Sequence, residues 1–155
     1  MKSTLVKAWI TQAGLEARVI LIHGTHHCGY VGVPKGHVLF GLDYDAPANR
    51  SLPLDTPIGG RSIMTLLCLD PNNLTLAQLF DVHGSLTFAG PLGDYAHGDG
   101  LHWFGFDCAH CDDARLDPDT GDLANLWPGQ HFWTADEVEA ECESLAKQIV
   151  QHYPQ

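Results

Sequence analysis

Basic side chains are scarce in this chain: 8 Lys and Arg stand against 19 Asp and Glu among 155 residues, a formal charge of −11. A nonspecific nucleic-acid binder needs a basic face to neutralise phosphates, and a surface that adheres to anionic lipid needs the same. Neither class fits. Long apolar runs are also lacking, and none approaches the roughly 20 residues needed to span a bilayer. The opening stretch MKSTLVKAWI carries Lys2 and Lys7 but neither an apolar segment nor a small-residue cleavage site, so no secretory signal is expected. Internal repeats and low-complexity tracts are absent. The cysteines Cys28, Cys68, Cys108, Cys111 and Cys142 are odd in number and unevenly spaced, which suits free thiols in a reducing cytosol rather than a disulfide framework. Length and a 45% hydrophobic content then allow one domain, residues 1–155, with a fair-sized core.

Two strands open the chain. Residues 4–11 and 15–22 are rich in Val, Ile and Trp and are separated by Gln12-Ala13-Gly14, a break of hairpin length. Leu5, Lys7 and Trp9 share one face, and Glu16 and Arg18 are expected on a wet face of the second strand. A third strand is expected over 29–33, stopped by the turn chemistry of Pro34-Lys35-Gly36. Residues 41–60 form a long Pro-rich loop, and 61–70 suit either a strand or a few helical turns. The segment 74–90 reads as mainly extended, broken at His83-Gly84, and 101–107 reads as a strand. An Asp-rich loop follows, with Asp at 107, 112, 113, 117, 119 and 122.

The last element is the clearest. Thr134-Ala-Asp-Glu137 has capping-box spacing, and Val138, Cys142, Leu145 and Ile149 make one apolar stripe at helical period. Acidic residues gather at its start and Lys147 lies near its end, as the helix dipole favours. Strands followed by one terminal helix give an α+β fold: a mainly antiparallel sheet with long loops, covered by a C-terminal amphipathic helix. Cys68 and Cys142 read as small buried hydrophobes, and Trp127 to Trp133 as a lead-in packed under the helix.

Four stretches, 28–37 (CGYVGVPKGH), 41–45 (GLDYD), 81–88 (DVHGSLTF) and 103–110 (WFGFDCAH), resemble an uncharacterised family of small proteins of bacteriophages, prophages and some bacteria. Its motifs run GYV-V-P-GH, YDD, VHGGLTF and WWFGFDCAH-GD, and the likeness covers roughly residues 28–113 and 134–150. Ser85 replaces the second Gly of HGG, Ala46 the second Asp of YDD, and Cys111-Asp112 stands where a less demanding residue and Gly are usual. The resemblance implies an accessory protein of a mobile element in the bacterial host cytoplasm. It implies no activity, so the chemistry rests on the residues.

His83, Asp107 and His110 are the candidate catalytic set. Each lies at the end or break of an apolar segment, where a scaffold presents side chains to a cleft. An Asp beside a His fixes its tautomer and raises its basicity, which serves acid–base cleavage of a phosphodiester or glycosidic bond. The alternative is that Asp107 and His110 only satisfy loop amides. A metal is a second reading. His83 with Cys108-Ala-His-Cys111 has the spacing of zinc nucleobase deaminases, but Ser85 stands where Glu is required and no Pro precedes Cys108. A zinc on Cys108 and Cys111 with His83, or a structural one with His26, His27 or Cys28, stays open as the weaker alternative to no metal at all. The acidic run 117–122 lacks the Glu of a calcium loop, having Pro128 at its twelfth position.

Ligand capture is the third reading. Gly29, Gly32 and Gly36 surround Lys35 and His37, letting backbone amides approach an anion, while Tyr44, Asp45 and Trp103 could line the same hollow. The leading expectation is capture of a small polar ligand, a nucleotide-type host immune signal being the guess that a phage setting suggests. A small hydrolase and an interaction protein without ligand are the alternatives. Neither a nucleic-acid nor a membrane partner is expected, and the oligomeric state is open.

Overall fold

The computed structural model describes residues 2–53, 55–62, 67, 69–70, 72–96 and 100–155. Strands β1 (Thr4–Ile10), β2 (Glu16–Ile22), β3 (His26–Val33), β4 (Phe88–Gly90) and β5 (His102–Asp107) form one antiparallel sheet in the order β1-β2-β3-β5-β4. A single helical turn, α1 (Leu76–Leu79), precedes β4. A two-stranded hairpin, β6 (Arg115–Leu116) with β7 (Leu123–Ala124), precedes the long helix α2 (Ala135–His152). The fold is α+β, with α2 laid on one face of the sheet.

That packing follows from the residues. Thr134 caps α2 by accepting from the Glu137 amide, and the Glu137 carboxylate accepts from the Thr134 amide in return. Val138, Cys142, Leu145, Ala146 and Ile149 are fully buried, each larger side chain contributing about 1.5–3 kcal/mol by leaving water. The helix comes close because Gly29 offers no side chain: a Cβ there would lie 2.5 Å from Phe106 Cζ and 2.8 Å from Cys142 Sγ. Polar contacts flank the seam. Trp9 Nε1 donates to Glu143 at 2.9 Å, and Lys7 pairs with Glu139.

Arg18 departs from expectation. It is 6% exposed rather than on a wet face, its guanidinium 5.0 Å from the ring of buried Trp103. The register puts Arg18 and Trp103 on the same outer face of the sheet, opposite α2, so the indole of β5 covers a side chain of β2 two strands away. The segment 74–90 is also less extended than its composition suggests. Thr75 and Gln78 form a reciprocal capping box, and all four residues of α1 are buried, so tertiary burial favours a helical turn there. Of 61–70, residues 63–66 and Cys68 lie outside the described residues. Among the described residues, no helix is long and apolar enough to cross a membrane.

Candidate functional site

At the end of the sheet where Cys28 pairs with Asp107, the turn after α1 and the loop after β5 meet. The first brings His83. Its backbone turns sharply, with positive φ at Gly84 and Ser85 and a Ser85 amide donating to the Val82 carbonyl. The second brings His110 and Asp113. The His110 amide donates to Asp113 Oδ2 at 2.9 Å, and the Asp113 amide donates to the His110 carbonyl, so the two side chains are fixed to one tight turn.

These three side chains converge. His83 Nε2 lies 2.8 Å and 2.9 Å from the two Asp113 oxygens, and the rings of His83 and His110 are 5.4 Å apart. Asp113 is 4% exposed. Burial pushes its pKa up, but hydrogen bonds from His83 and the His110 amide, with the fields of both imidazoles, outweigh that and hold it below the ordinary value. An ionised carboxylate only accepts, so Nε2 of His83 is the donor in this pair. Trp133 stacks on the His83 ring at 4.1 Å, and Glu141 of α2 accepts from the His83 amide. Gly84 is obligatory in this arrangement: at φ +70°, a Cβ would lie 1.9 Å from His110 Nε2.

His110 stands where two clefts meet. One, of about 530 Å³, opens on the outer face of the sheet between His26, Cys28, Tyr30, Thr87, Asp107 and His110. The other, of about 540 Å³, runs from His110 and Asp113 past Cys111 and Arg115 to Trp127 and Gln130. In the first, burial foremost and the Asp107 charge push the Cys28 thiol up to about 12 and burial raises the Tyr30 phenol, so both groups are neutral.

The sequence-level set is therefore regrouped. His83 and His110 come together, but the carboxylate that orients His83 is Asp113, not Asp107. Asp107 accepts from the Thr87 hydroxyl and the Ala109 amide and lies 3.5 Å from His110 Nε2. Lys35 and His37 lie beyond the far end of β3, in a separate cleft of about 470 Å³ with Pro154 and Gln155. Tyr44 and Asp45 are exposed on the loop that binds the first turn of α1, the Tyr44 carbonyl accepting from the Ala77 amide. Trp103 is fully buried and cannot stack on a ligand. The Cys-x-x-Cys pair is split: Cys108 is buried, with its thiol pushed up chiefly by burial, while Cys111 is exposed. Among the described residues, the group with metal-ligand spacing is His83, His110 and Asp113. Trp133 packs on His83, whereas Trp127 is 41% exposed in a cleft wall rather than under α2.

Asp113, Trp133, Glu141 and Gly84 escape a reading of the sequence alone. For Asp113 the available signal is its place three residues after His110 and immediately before the apolar Ala114. Compared with protein-family models, with curated proteins and with solved structures, the chain matches none.

Proposed function

We propose that the protein is a small hydrolase that cleaves a phosphodiester, with His83, His110 and Asp113 as its working centre. The observation that carries this reading is the convergence of two imidazoles on one buried carboxylate, with His110 lining both neighbouring clefts and Asp113 one of them. A carboxylate-oriented imidazole is the group that hydrolysis asks for: it accepts the proton of a water as its oxygen attacks phosphorus. The ester oxygen leaves with the pair of the broken P–O bond and takes a proton from the second imidazole. The chain's net charge of −11 disfavours a polyanion and points to a small substrate. In the second cleft Arg115 offers a cation to a phosphate, and Trp127 offers an exposed ring to a base, which supports a nucleotide-type substrate. The phage-type setting implied by the sequence motifs makes cyclic nucleotide signals the first substrates to try.

Capture without turnover is the second reading, and the outer-face cleft favours it. The neutral Cys28 thiol and Tyr30 phenol there are hydrogen-bonding groups rather than acids or bases at neutral pH. One experiment separates the readings. The protein is incubated with cyclic mono- and dinucleotides and then heat-denatured, and the supernatant is resolved by chromatography. Linearised product in wild type, lost in His83→Ala and His110→Ala but kept in Lys35→Ala and His37→Ala, supports hydrolysis at this centre. Depletion followed by return of intact ligand supports capture. No depletion and no product counts against both.

A further inference from the structure

We infer that His83, His110 and Asp113 form the binding site of one divalent transition-metal ion, with zinc the ion their chemistry favours. The inference rests on the reading of this cluster as the working centre, and it goes beyond that reading by naming the cofactor. One donor atom from each of the three side chains lies within 4.8 Å of the others. Zinc with bonds of about 2.0–2.1 Å to nitrogen and oxygen at tetrahedral angles needs donor spacings of about 3.3 Å, a closure that small side-chain rotations supply. Two imidazoles and one carboxylate are the donor set of catalytic zinc sites that keep a position open for water.

Three independent features fit an ion better than a simple hydrogen-bonded turn. First, His110 Nε2 is inaccessible to solvent and makes no hydrogen bond, its nearest carboxylate oxygen being Asp107 Oδ1 at 3.5 Å. A buried ring nitrogen without a partner is rare. Second, the candidate ligands are held as metal ligands are held. The His110 amide fixes the Asp113 carboxylate, Trp133 fixes the plane of His83, and Gly84 clears the space beside His110. Third, the surroundings are acidic: Asp107 lies beside His110 and Glu141 accepts from the His83 amide. Those charges attract a dication into a site where only one ligand is itself charged. Binding would take the place of the His83–Asp113 hydrogen bond, with the His83 ring N–H carried on Nδ1 instead. When bound, the ion would supply an acidified water, and His83 and His110 would then hold it rather than act as free base and acid.

The test uses the full chain purified without a histidine tag and stripped with a chelator. Zinc alone is titrated calorimetrically, with thermal unfolding in parallel. Expected are one zinc per chain and a raised Tm. His110→Gln and Asp113→Asn each weaken binding by at least roughly ten-fold, while Cys111→Ser leaves it unchanged. Cobalt in place of zinc gives visible bands of a low-coordinate site, which are lost in His83→Gln. No stoichiometric binding, or binding that survives His110→Gln and Asp113→Asn in folded protein, overturns the inference. Chelator-treated protein that hydrolyses fully without binding zinc overturns it too, yet leaves the hydrolase reading standing. One bound zinc without turnover of any phosphodiester does the opposite.

Discussion

The Nε2 atom of His83 lies 2.8 Å from Oδ2 of Asp113, a contact between residues 30 apart in the chain that fastens the turn after α1 to the loop after β5. Because the Asp113 side chain is only 2% exposed, solvent screens this pair little. Asp113→Asn is expected to cost about 1.5–3 kcal/mol, the range for hydrogen bonds to a charged group. Urea denaturation at pH 7 measures it. The pH dependence has a definite sign. The folded-state pKa of Asp113 is depressed, so its contribution is complete above the ordinary carboxylate value of about 3.9 and is lost as pH falls through the folded value. The stability gap between wild type and Asp113→Asn is therefore expected to narrow only below that value. A gap that narrows between pH 7 and pH 5 would contradict this account.

Gly84 and Gly36 have similar backbones and different neighbours, which makes them a matched pair. Both have positive φ, +70° and +90°, but a Cβ at 36 meets nothing within 4 Å whereas one at 84 strikes the His110 ring. Alanine at 36 is expected to cost only the left-handed backbone term, about 1–2 kcal/mol. Alanine at 84 adds displacement of His110, so it costs more and abolishes zinc binding or turnover while Gly36→Ala keeps both. Thermal unfolding and the zinc titration read the two effects. Equal losses in both variants would show that the close approach at Gly84 is unimportant.

Under α2 the close approach is of another kind. A methyl at 29 overlaps both Phe106 Cζ and Cys142 Sγ, and neither a sheet residue nor a helix residue in a filled core can yield freely. Gly29→Ala is expected to destabilise by about 1–3 kcal/mol. Cys142→Ala removes one of the two obstacles, so the double variant should be more stable than the sum of the single costs implies, a coupling of about 0.5 kcal/mol or more. Additive costs in chemical denaturation would place Cys142 away from the overpacked point.

How far each feature is legible depends on how local its cause is. The stripe Val138, Cys142, Leu145, Ile149 and the box Thr134–Glu137 lie within one helix, and both stand in the structure as their spacing requires. The hairpin of β1 and β2 is equally local. Arg18 is different: it is buried with its guanidinium over Trp103 of β5, far later in the chain, and no pattern within β2 carries that information. The site divides in the same way. His83 and His110 are conspicuous because each interrupts an apolar run. Asp113 is one of several Asp in a loop, and only the three-dimensional meeting of two turns distinguishes it from Asp107. Glycines beside a cation describe a turn as well as an anion cradle, and composition could not show that the length of β3 separates Lys35 and His37 from the histidine pair.

The thiols supply a test that reaches from burial to the site. Cys28, with a pKa pushed up to about 12 by burial and the Asp107 charge, is ionised at pH 8 in roughly one molecule in ten thousand. Cys108 and Cys142 are buried and their thiols are raised as well, whereas Cys111 is exposed. An alkylating reagent at pH 8 is therefore expected to modify Cys111 first, and Cys28, Cys108 and Cys142 only on unfolding, as peptide mass spectrometry over a time course will show. Modification of Cys28 in the native protein at the rate of Cys111 would contradict the packing of the outer-face cleft. Cys111 also lines the cleft that holds His110, Asp113, Arg115 and Trp127, so the same reaction probes function. A bulky maleimide at Cys111 should obstruct that cleft and lower turnover of a small phosphodiester several-fold, while Cys111→Ser with the same reagent keeps its rate. If the labelled protein works as fast as the unlabelled one, substrate reaches His110 through the outer-face cleft instead.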